Sequence, residues 1–210
     1  MDDLDRQAAR LWTLPPSCGP VRLVAVDGHA GSGKSTFAGR LARTLGGDPP
    51  VLHLDDLASH AELFDWTGRV LSQVIEPLEH GRDAAYRPYD WDLRRFLAPR
   101  TLPAAPVVLI EGVGAGRRAL RPYLAALLWM DRGAKESWAR GRARDGAGLS
   151  GFWDGWTAAE TRHFLSDSSR PFADALIRER PAGYEWLPMP AGTAGPHQTV
   201  THREDSPPAY

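Results

Sequence analysis

Gly28-His29-Ala30-Gly31-Ser32-Gly33-Lys34-Ser35-Thr36 fills every fixed position of the pattern G-x-x-x-x-G-K-[ST]. The apolar run Val21 to Val26 precedes it. An amphipathic stretch from Lys34 to Leu45 follows, closed by Gly46-Gly47. Strand, glycine-rich turn and helix in that order make the pattern physical. Glycines let successive backbone N–H groups turn inward on a phosphate, and the helix start adds the positive end of its dipole. Lys34 then neutralises the β and γ oxygens of a bound ATP, and the Ser35 hydroxyl is placed for Mg2+. Lys34 and Lys135 are the only lysines in a chain whose other fixed positive charges are arginines.

Working outward, short apolar runs recur with room for a helix between them. Val21 to Val26, Val51 to Leu54, Val107 to Ile110, Leu124 to Met130 and Ala173 to Ile177 read as five buried strands. Lys34 to Leu45, Asp65 to His80 (closed by Gly81), Ala134 to Arg144 and Thr157 to about Ser166 read as helices. Alternating β and α predicts a doubly wound α/β fold. The first four strands end at or near Asp27, Asp55, Glu111 and Asp131. Ligands of such sheets bind beyond the carboxyl ends of the strands, so these carboxylates are candidates for one site. Residues 1–20 read as an N-terminal extension, 21–180 as the domain, and the proline-containing stretch 181–210 as a mobile tail.

Composition narrows the partners. At 210 residues, with 42% hydrophobic and 24% charged residues, the chain fits one globular domain. A net charge of -1 supplies no field for nucleic acid, so a small-molecule partner is expected. No apolar run approaches the roughly 20 residues that span a bilayer. The acidic start and the single cysteine, Cys18, point to a reducing, cytoplasmic setting. The seven histidines have no zinc-ligand spacing. Neither lysine stands in an asparagine-lysine-x-aspartate setting, which argues against a GTPase. Oligomeric state is not legible.

Past the loop, most of residues 21–178 resembles the uridine kinase-like family of P-loop nucleoside and small-molecule kinases. The resemblance implies a P-loop NTPase fold with a five-stranded, mostly parallel sheet, helices on both faces and a small arginine-bearing lid near 138–156. It also implies transfer of the γ-phosphoryl group of ATP, with Mg2+, to a hydroxyl of a nucleoside or related small metabolite. Leu54-Asp55-Asp56-Leu57 is similar to the family element carrying the general base, with Asp55 in register. A carboxylate beside the γ-phosphate can take the proton of an attacking hydroxyl. Read alone, the Asp pair is also compatible with a turn cap. Glu111, in Ile110-Glu111-Gly112-Val113, resembles the acidic residue closing the family's third strand. With Ser35 and Asp55 it forms the expected Mg2+ side of the site, Glu111 acting through water.

Phe64-Asp65 is similar to a family pair whose aspartate holds ribose hydroxyls, and Tyr89-Asp90-Trp91 to a segment whose aromatics line the base pocket. The family's uridine and cytidine kinases carry a histidine three residues after that aromatic; here Arg94 occupies the position, which suggests an acidic or phosphorylated acceptor. Arg140-Gly141-Arg142-Ala143-Arg144 resembles the lid. At i and i+4, Arg140 and Arg144 share a helix face and can approach one polyphosphate, although a solvated charged face has the same pattern. Trp153 and Trp156, just beyond, read as helix packing. The alternative function is a P-loop ATPase or nucleotide-dependent switch with no small-molecule acceptor.

Overall fold

The computed structural model describes residues 3–189. In chain order the larger elements are α1 (Asp3–Thr13), β1 (Arg22–Asp27), α2 (Lys34–Leu45), β2 (Val51–His53), α3 (Thr67–Val70) and α4 (Glu76–Glu79). Four short strands follow: β3 (Ala84–Tyr86), β4 (Tyr89–Asp90), β5 (Arg95–Phe96) and β6 (Arg100–Leu102). Then come β7 (Val107–Glu111), β8 (Ala126–Met130), α5 (Ala134–Asp145), α6 (Ser150–Ser166), β9 (Ala175–Arg180) and β10 (Gly183–Pro188). The main sheet has six strands in the order β10-β9-β8-β1-β7-β2. All its pairings are parallel except that of β10 with β9.

Period-two alternation places the two sides of β1 in different cores. Leu23 and Ala25 pack with Leu52, Ile110 and the Val70 to Leu78 helical segment, whereas Val24 and Val26 pack with Leu128, Met130 and Phe37 and Leu41 of α2. Helices therefore cover both faces. α1 lies against α2, burying Ala8 and Leu11 and donating the Trp12 indole N–H to the Leu45 carbonyl at 3.0 Å.

Three expectations change, the simplest being that the helix expected from Thr157 begins seven residues earlier, at Ser150. The stretch from Pro181 is not a tail throughout: Gly183–Pro188 forms the sixth strand, with Trp186 opposite Ile177. Backbone pairing at an edge tolerates the half-buried, proline-ended sequence that hid it. The remainder of the expected tail, 190–210, lies outside the described residues. The helix expected from Asp65 to His80 starts at Thr67 and is interrupted by a π turn over Leu71–Ile75. Pro77 has no N–H to return to the preceding turn, which accounts for a break in the regular α-helical ladder there. Gly81 closes it at φ 65°, as expected. No helix among the described residues is long and apolar enough to cross a membrane.

Candidate active site

The glycine-rich loop lies between β1 and α2 at the carboxyl edge of the sheet. Gly31 and Gly33 have φ of 80° and 100°, in the region open to glycine. At Gly31 the absence of a side chain also has a packing reason: a Cβ there would lie 2.0 Å from the Ser137 carbonyl of α5, so that helix rests directly on the loop. Lys34 is buried, and its Nζ donates to the carbonyls of Gly28 at 3.1 Å and His29 at 3.0 Å.

One cleft of about 300 Å³ collects Gly31, Gly33, Lys34, Ser35 and Thr36 from the loop, Asp55 and Glu111 from the ends of β2 and β7, and Arg140 and Arg144 from α5. Its floor carries both charges. Burial alone would raise the pKa of Glu111, but hydrogen bonds from His53 and Ser35 and the charge of Lys34 hold it below the usual carboxylate range. The His53 Nδ1 lies 2.5 Å from Glu111, and that bond in turn raises the histidine's own pKa. Asp55 is exposed to solvent at the mouth of the cleft, although protein surrounds it on the other sides. Enclosure and, second, the neighbouring Glu111 charge push its pKa up to about 6, with Lys34 opposing.

Of the four strand-end carboxylates considered together, only Asp55 and Glu111 reach this cleft. The fully buried Asp27 accepts from the backbone N–H groups of Gly28 (2.6 Å), Gly114 (2.8 Å) and Gly116 (2.8 Å), tying the loop after β7 to the glycine-rich turn. Asp131 is paired with Arg178 at 2.6 Å and Arg170 at 3.3 Å. Asp56, next to Asp55, turns away: it accepts from the Tyr86 hydroxyl at 3.1 Å and faces Arg100 at 3.6 Å.

A second cavity of about 250 Å³ adjoins the first, with Ala30, Asp55, Arg144 and Trp156 belonging to both. Trp91 lines it and donates its indole N–H to the Asp55 carbonyl at 3.2 Å. Tyr89 stands behind it, its hydroxyl 3.0 Å from His60 Nδ1. Arg94 is not brought in. It occupies the turn between β4 and β5 at φ 53°, exposed to solvent, because that tight turn directs it outward. Asp65 lines a separate cavity of about 560 Å³ with Thr67, Arg117 and His163. The helix beginning two residues later carries it to that side.

The sequence reading missed Glu160. This buried α6 carboxylate receives His29 Nδ1 (2.7 Å), the Ala30 backbone N–H (3.2 Å), Trp138 Nε1 (3.0 Å) and Trp156 Nε1 (2.9 Å). Burial opposes its charge, but the bonds from His29 and Trp138 and the nearby Lys34 charge prevail and lower its pKa. The one local signal is Trp156-x-x-x-Glu160, a helical i to i+4 pair whose partner on the loop lies far away in sequence. Trp153 and Trp156, read as packing, both pack and line the second cavity. Gly141 makes room: a Cβ there would sit 2.2 Å from the Trp153 ring.

Fold and loop together define a P-loop α/β protein. Its similarities are to solved structures: a protein described as a possible uridine kinase from Bacillus stearothermophilus (TM-score 0.62, 18% identity, 82% of this chain and 96% of that one); and a protein described as a fructose transport system kinase from Silicibacter sp. TM1040 (TM-score 0.56, 22% identity, 80% and 93%). At these identities the likeness establishes the fold. No protein-family model matches the chain, and no curated protein matches it in sequence.

Proposed function

We propose that the chain is an ATP- and Mg2+-dependent kinase that transfers the γ-phosphoryl group to a hydroxyl of a nucleoside or related small metabolite. The observation that carries this reading is the convergence of Lys34, Ser35, Asp55, Glu111, Arg140 and Arg144 on one cleft that opens into a cavity of a size for a small acceptor. The likeness to two solved structures described as kinases supports it.

The residues fit Mg2+. Ser35, Asp55 and Glu111 line the same cleft, a short oxygen set that leaves room for phosphate and water, as Mg2+ prefers. Ser35, Asp55 and Glu111 would hold the ion, which would supply positive charge against that of the phosphates. The chain's own residues supply the rest. Loop N–H groups and Lys34 hold the β and γ oxygens, and Arg140 and Arg144 offset charge on the moving phosphoryl group. Asp55, which belongs to both cavities, orients the acceptor hydroxyl and takes its proton as the new O–P bond forms and the β–γ bridging bond breaks. ADP leaves, and Asp55 returns the proton to water.

A coupled ADP-release screen over nucleosides, vitamins and sugars tests the proposal. Release that requires one acceptor supports it. Release at full rate with no acceptor would favour an ATPase or switch.

A further inference from the structure

Resting on the kinase reading, we propose that the acceptor is a hydroxyl-bearing molecule whose head group is positively charged, either an alkylammonium or a cationic aromatic ring, held in the cavity beyond Asp55.

The two adjoining cavities differ in charge. Lys34, Arg140 and Arg144 line the phosphate side. On the acceptor side Arg144 is the only lysine or arginine in the lining, against the carboxylates Asp55, Asp92 and Asp145. Arg144 is moreover engaged by both oxygens of Asp145, through Nε at 2.6 Å and Nη2 at 3.0 Å. Asp92 is exposed, and among the described residues its carboxylate makes no hydrogen bond or ion pair. His60 does not oppose this balance: burial, then the nearby Arg94 charge, lowers its pKa and favours the neutral ring.

Most of the rest of the wall is aromatic. Trp91 meets Phe152 at 5.7 Å and 75°, and Trp156 at 6.5 Å and 70°. Trp153 joins them, and Leu149 and Ala30 fill the remainder. Rings crossing at such angles enclose a corner instead of stacking shut, and an aromatic face attracts a desolvated cation through its quadrupole. A cationic head group gains both the ring faces and Asp92. An anionic one meets the carboxylates of Asp55 and Asp92 and a guanidinium already occupied. Arg94, the residue suggesting an acidic acceptor, lies outside the lining.

Calorimetric titration of the whole protein, without ATP, tests this with matched alcohols: choline against its uncharged carbon isostere dimethylbutanol, hydroxyethylpyridinium against phenylethanol, and hydroxyethylbenzoate as the anion. Each cation is expected to bind roughly five- to tenfold more tightly than its neutral partner. Asp92→Asn, a change at an exposed side chain, should shrink that ratio, and Trp91→Leu should weaken the cations. Equal or tighter binding of the neutral or anionic alcohols overturns the proposal. So does silence from every probe at millimolar concentration in protein that still binds ATP. If ATP fails to bind while the cation preference is present, the phosphoryl-transfer reading falls and the cation site stands.

Discussion

Glu160 of α6 lies 2.7 Å from Nδ1 of His29 in the glycine-rich loop, and the same carboxylate reaches the Ala30 N–H. Trp138 on α5 and Trp156 beside the second cavity donate to it as well, so one buried group joins the glycine-rich loop, α5 and that cavity's wall. Removing it orphans these donors together. Glu160→Ala is expected to cost about 3–5 kcal/mol of stability, read as a lower thermal midpoint. Glu160→Gln, which keeps one acceptor oxygen, should lose less stability and raise the KM for ATP more than it lowers kcat. Wild-type values in both variants would mean the loop holds its shape without this clamp.

Asp55 and Asp56 leave β2 on opposite sides, one into the cleft and the other to Tyr86 and Arg100. Asp55→Asn keeps size and removes the basic charge, so phosphoryl transfer should fall by roughly 10²- to 10⁴-fold with ATP binding retained. Asp56→Asn should lower stability modestly and leave most of the turnover. An inactive Asp56→Asn beside a normal Asp55→Asn would reverse the assignment.

The raised pKa of Asp55 has a measurable sign. Without Mg2+ its carboxyl should titrate at about 6 by carbon NMR, ionised above that pH and protonated below. A nearby divalent cation favours the ionised form, so adding Mg2+ should move the midpoint down. With Asp55 as the proposed base, activity is then expected to persist to lower pH. A midpoint indifferent to Mg2+ would remove Asp55 from the ion's surroundings.

For the lid, Arg140 is held by Glu179 at 2.9 Å and Arg144 by Asp145 at 2.6 Å, both within the phosphate cleft. If they close on the polyphosphate with both substrates present, Arg140→Ala and Arg144→Ala should each lower kcat more than they weaken ATP binding. ATP affinity falling as steeply as turnover would make them ground-state binders.

Lys34→Ala should reduce turnover at least about a hundredfold, on the order of 3 kcal/mol of transition-state stabilisation. Circular dichroism should report an intact fold. Turnover at the wild-type level would separate the loop from catalysis.

The central sheet and the phosphate loop were legible from residue order because their signals are local. Gly28 to Thr36 is one unbroken stretch, and the buried strands announce themselves as apolar runs. β10 and the two-stranded pairings of β3 with β6 and β4 with β5 were not, since strands of two or three residues, or a half-buried edge ending in Pro188, carry no usable periodicity. Chain position likewise marked Asp27, Asp55, Glu111 and Asp131 with the same signal. Only packing separated them, because a carboxylate at a strand end goes wherever its partners stand. Three backbone N–H groups capture Asp27 and two arginines capture Asp131. Asp55 and Glu111 are left to the cleft. Glu160 and the aromatic cavity depend on α6 folding back across the loop. Contacts between segments so far apart in the chain leave no spacing to read, and they exist only once the core has brought the two surfaces together.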